Sequence, residues 1–64
     1  MLVIGYRGAV DWNKVKAALK RCTGMNQMDI DRVVKVIKNG QTINLTDDFV
    51  LNDELRDLGI LISN

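Results

Sequence analysis

Apolar side chains recur along this chain with spacings that change from segment to segment, and each change marks an element. Leu2, Val3, Ile4 and Tyr6 form a short β-prone run that Gly5 and Gly8 bring to an end, which predicts a first strand over residues 2 to 7. Trp12, Val15, Leu19 and Cys22 then recur at three- and four-residue intervals, with Lys14, Lys16, Lys20 and Arg21 filling the positions between them. That is the stripe of an amphipathic helix, capped at its start by Asp11 and stopped at Thr23-Gly24.

The second helix carries the fullest set of local signals. Asn26 caps it with Asp29 at the third helical position, and Met25 and Ile30 occupy the two places of a hydrophobic staple. Its inner stripe is Ile30, Val33, Val34 and Ile37. Asp29 and Asp31 at the start and Lys35 and Lys38 near the end match the helix dipole, and Asn39-Gly40 supplies a left-handed stop. Residues 41 to 45 then alternate, Ile43 and Leu45 against Thr42 and Asn44, with the period of a half-buried strand.

Residues 46 to 58 fit two patterns. Thr46 or Asp47 can cap a helix whose inner stripe is Leu51, Leu55 and Leu58; alternatively Thr46-Asp47-Asp48 turns a hairpin, Phe49 to Leu51 is a return strand, and a short helix begins at Asn52. We take the longer helix as the expected form. Gly59 ends it, and Ile60 to Ile62 make a last strand. The element order is then strand, helix, helix, strand, helix, strand.

In that order the chain resembles the C-terminal domain of the bacterial ribosomal stalk protein. The resemblance is carried by Asn13-Lys14-Val15 opening the first helix, Thr23-Gly24 at the helix-helix turn, Asp29-Ile30-Asp31-Arg32-Val33-Val34 in the second helix, and Asp53-Glu54-Leu55 to Leu58-Gly59 before the final strand. It covers nearly the whole chain. It implies an α+β fold, β-α-α-β-α-β, with a three-stranded antiparallel sheet covered on one face by helices. It also implies a non-enzymatic role in recruiting protein partners through the first two helices, with Lys20 at a basic contact position. The turn itself reads Met25-Asn26-Gln27-Met28, where the family has a Gly-Leu-rich segment. A Clp-protease adaptor uses the same fold, so the analogy extends to an adaptor or regulator.

Composition narrows the chemistry. At 64 residues with 47% apolar content there is material for one core and one domain. The absence of histidine and the single Cys22 exclude an intrachain disulfide, His/Cys zinc sites and Ser-His or Cys-His nucleophile pairs. The five acidic residues of the second half match no calcium loop, so no metal and no cofactor are expected. The apolar run at Met1 to Ile4 is too short for a signal or a span, and a cytoplasmic, membrane-free protein is the expectation.

Charge is divided along the chain. Residues 1 to 40 hold eight basic against three acidic side chains, a balance of +5, and residues 41 to 64 hold one against five, a balance of −4. The expected contact surface is therefore the basic face of the first two helices, Lys16, Lys20, Arg21 and Met28 with Arg32 and Lys35 behind them, meeting an acidic protein partner. The alternative is a winged-helix regulator binding DNA, with Lys35 and Lys38 on phosphates and a 41 to 51 hairpin as the wing. Two carboxylates, Asp29 and Asp31, at the start of the helix that would read bases oppose it. Gly5-Tyr6-Arg7-Gly8 has the spacing of a KH-domain loop but follows a strand, so it reads as a turn. Trp12 is assigned to the core by its spacing with Val15 and Leu19. A core this small leaves a monomer or a weak homo-oligomer as the expected state.

Overall fold

The computed structural model describes residues 1–63. Its elements are β1 (Leu2–Tyr6), α1 (Trp12–Thr23), α2 (Gln27–Lys38), β2 (Ile43–Asn44), α3 (Phe49–Asp57) and β3 (Ile60–Ser63). The expected order is found, and the sheet is antiparallel with β1 at its centre, in the order β2-β1-β3.

Each helix begins where a short polar side chain can take up free backbone N–H groups. The Asp11 carboxylate accepts from the Lys14 N–H, and the Asn26 side-chain oxygen accepts from the Asp29 N–H at 2.9 Å. α1 stops at Gly24, whose left-handed backbone (φ 71°) lets its N–H reach the Lys20 carbonyl. The staple residues behave as expected, since Ile30 is buried and Met25 is half-buried against the same core.

Several expectations are corrected. The third helix is capped by Asp48 rather than Thr46 or Asp47, with the Leu51 N–H donating to its carboxylate at 2.9 Å. Asp47 instead meets the amino terminus of Met1, at 2.5 Å. The hairpin alternative does not form, because Phe49 to Leu51 are helical and β2 pairs with β1 instead. The second strand is shorter than residues 41 to 45: only Ile43 and Asn44 pair, opposite Val3 and Leu2, and Leu45 follows with its N–H on the Met1 carbonyl. The first strand ends at Tyr6, and the last extends to Ser63.

Since Asp48 alone caps α3, Asp48→Ala is expected to cost about 1 kcal/mol, the usual loss for an N-cap. Asp47→Ala, which removes an ion pair whose carboxylate is exposed and whose amine keeps the Leu45 carbonyl as a partner, should cost less than half of that. Thermal unfolding of the two variants side by side checks the assignment, and equal losses would contradict it.

The chain reverses direction at every element. β1 leads to α1, which runs back; α2 returns, bringing Lys38 over the Trp12 ring at 5.2 Å. β2 runs back to place Leu45 beside Met1, and α3 runs forward until Gly59 meets Arg7. α1 lies between α2 and α3, whose backbones do not approach each other. The core under the sheet consists of Val3 and Ile60 from the sheet, Val15, Ala18 and Leu19 from α1, Ile30, Val33, Val34 and Ile37 from α2, and Leu51 and Leu55 from α3, closed by Leu45. No polar or charged side chain is buried among the described residues.

Candidate functional site

The surface singled out by the sequence belongs to α1 and α2. Met28, Arg32 and Lys35 follow one another at i, i+4 and i+7, so they form one stripe along α2. It lies away from the Ile30, Val33, Val34 and Ile37 stripe, and all three are exposed, Met28 to 71%. Lys20 is exposed near the end of α1. None of Lys20, Arg32 and Lys35 has an ion-pair partner among the described residues.

Lys16 and Arg21 are placed differently. Lys16 is half-buried and its ammonium lies 3.3 Å from the Asp31 carboxylate, so it joins α1 to α2. Arg21 projects from the opposite flank of α1 and pairs with Glu54 of α3. These are exposed or partly exposed pairs whose contribution to stability is small, but each takes one cation away from the face. Lys20 on α1 and Met28, Arg32 and Lys35 on α2 stay exposed, and the three cations have no ion-pair partner among the described residues. Arg21 stands instead at a shallow groove of about 290 Å³ between α1 and α3, lined by Lys14, Ala17, Arg21, Glu54, Asp57 and Leu58.

Trp12 is half-buried against the core, as its spacing predicts. The Tyr6 ring meets it edge-on with centroids 5.0 Å apart, and the Lys38 ammonium covers it. Lys38 is therefore held in a cation–π contact. Cys22 is a free, half-buried thiol.

Two side chains that sequence reasoning left unassigned are prominent on the surface. Phe49 is 82% exposed and Val50 55% exposed in the first turn of α3. The signal for them was their position off the Leu51, Leu55 and Leu58 stripe. Among the described residues, no three His, Cys, Asp or Glu side chains gather into a metal-binding group, and no helix is long and apolar enough to cross a membrane. Comparison with protein-family models, with curated proteins and with solved structures gives no match.

Proposed function

We propose that this protein is a small interaction module, an adaptor or regulator, that binds an acidic protein surface through the outer face of α1 and α2. The observation that carries this reading is the set of three cations without ion-pair partners among the described residues, Arg32 and Lys35 on the α2 stripe of the exposed Met28 and Lys20 on the adjacent α1. Unpaired charges of one sign attract an oppositely charged partner over about a Debye length, roughly 8 to 10 Å, and align it before contact. Met28 then supplies an adaptable apolar contact that charge alone does not provide. The resemblance to the stalk-protein domain supports the same pair of helices as the partner surface.

Capture of partners from lysate by the tagged protein, with and without nuclease and beside a Lys20→Glu/Lys35→Glu variant, tests the reading. A partner that survives nuclease and is reduced about tenfold or more by the double substitution is the expected result. Capture that vanishes with nuclease would favour DNA or RNA as the partner, where each lost phosphate contact also flattens the salt dependence. A nuclease-resistant partner held equally well by the double variant would overturn the assignment of the face.

A further inference from the structure

The sheet keeps an edge open along β3. That strand pairs only with β1, and no other backbone group among the described residues bonds Ile60 to Ser63. Residues of an antiparallel strand alternate in the direction of their N–H and C=O groups. Gly59 turns its carbonyl to the Arg7 N–H, so Leu61 also faces β1 while Ile60 and Ile62 face the open side. Ile60 is covered, at 2% exposure, and Ile62 is half-buried, which leaves the N–H and C=O of Ile62 as those a further strand could reach.

Beside this edge lies a shallow cavity of about 280 Å³ whose lining includes Ile4, Leu61, Ile62, Gly59 and two cations, Arg7 and Arg56. No carboxylate among the described residues lines it. Both arginines are exposed, and neither forms an ion pair among the described residues. Arg56 donates from Nε to the Asn52 side chain at 2.7 Å, which leaves the two terminal amino groups of its guanidinium for a ligand. The carboxylates nearest to it in sequence border other grooves: Asp53 lines one that Arg56 also borders, and Asp57 lines the one between α1 and α3. The last carbonyls of α3, which would repel an anion, are engaged by the Leu58 and Gly59 N–H groups. The cavity is therefore apolar with charge of one sign, whereas the other two grooves mix both.

We infer that this edge is a peptide site that takes the carboxylate-terminated end of an extended polypeptide, with the terminal carboxylate between Arg7 and Arg56 and the last apolar side chain against Ile4 and Leu61. Each part of the site selects part of this occupant. Two guanidinium groups with no carboxylate of their own call for an anion whose planar oxygens match their forks. The apolar walls call for a hydrocarbon group attached to that anion, and the open main chain of Ile62 calls for a peptide, which pairs with a strand edge. Direction follows as well. Arg7 and Arg56 meet at the Gly59 end of β3, so a chain that ends between them runs antiparallel to the strand. The volume lies at the lower end of ligand pockets, roughly 300 Å³, so it holds one terminal residue, and a short peptide binds with a dissociation constant on the order of 1 mM. This site is separate from the outer face of α1 and α2 and does not rest on the reading given for that face.

Titration of the full chain with acetyl-Ala-Val-Leu bearing a free carboxylate, followed by amide NMR, should shift Ile4, Arg7 and Gly59 to Ser63 and slow the exchange of the Ile62 N–H. The C-terminal amide of the same peptide should bind the wild type about tenfold or more weakly, and Arg7→Gln/Arg56→Gln should lose as much toward the acid. Circular dichroism checks that the double variant folds, and Arg7→Gln alone, which lies outside every helix, repeats the test with less disturbance. No binding to the wild type, equal binding of the amide, or undiminished binding by the arginine variants would each overturn the site. The free acid 4-methylpentanoate binding as tightly as the peptide, or an Ile62 N–H whose exchange does not change, would overturn the peptide as its occupant. None of these outcomes alters the capture experiment with Lys20→Glu/Lys35→Glu, which tests the α1 and α2 face independently.

Discussion

Replacing Leu19 by alanine is expected to remove most of the stability of this domain. Leu19 is fully buried on α1, the helix that contacts both α2 and α3. Truncating such a leucine costs about 2 to 5 kcal/mol, for the lost transfer of its methyl groups and for the cavity left behind. A domain of 64 residues has only about 3 to 10 kcal/mol in total at the usual stability per residue. Alanine is a better helix former than leucine, so no loss of helix propensity contributes. Thermal unfolding followed by circular dichroism should show a midpoint lower by roughly 10 to 25 °C, or no folded baseline at all. A shift under about 5 °C would mean that α1 does not pack as described.

The second large effect belongs to Gly59, between α3 and β3. Its backbone is left-handed (φ +96°), and a Cβ added there would lie 2.8 Å from the Arg7 carbonyl oxygen. The same two residues are joined by the Arg7 N–H donating to the Gly59 carbonyl at 2.8 Å, so the backbones cannot separate without loosening the start of the β1–β3 ladder. Gly59→Ala therefore combines about 1 to 2 kcal/mol of left-handed strain with a backbone clash, and a total near 3 kcal/mol is expected. Gly40 provides the control, since it is also left-handed (φ +75°) but a Cβ there meets nothing within 4 Å. Gly40→Ala should show the strain alone. Denaturant titration of both variants separates the two contributions, and equal losses would contradict the close approach at Gly59.

How much of this was legible in the sequence depended on how local each determinant is. α2 was read almost entirely, because its cap, its staple, its apolar stripe and its charged ends all lie within the segment itself. β2 was read too long, because alternation does not show where pairing stops: β1 runs on to Tyr6, but its ladder with β2 ends at Val3 and Ile43, just where β1 carries an irregularity between Val3 and Gly5. The start of α3 was read at Thr46 or Asp47, whereas Asp48 is the cap and Asp47 meets the amino terminus of Met1, a contact distant in sequence. The basic face was legible as a set of charges. Its division was not, because the pairing of Lys16 with Asp31 and of Arg21 with Glu54 depends on how three helices lie side by side. Phe49 was invisible as a surface group for a related reason. Aromatic residues are usually interior, and only the packed position of Leu51 and Leu55 turns the phenyl outward.

The central place of β1 also bears on when the domain can form. The domain's earliest strand has both neighbours far along the sequence, with Leu2 opposite Asn44 on one side and Ser63 on the other. Contacts so distant in sequence are slow to close, because the loop entropy is spent before the ladder returns anything. While synthesis proceeds, Val3 and the strand around it have no sheet to join, and α1 and α2 can at most pair with each other. The sheet is completed only once residue 63 has emerged, so its central strand waits for the last of the three strands before it is paired on both sides.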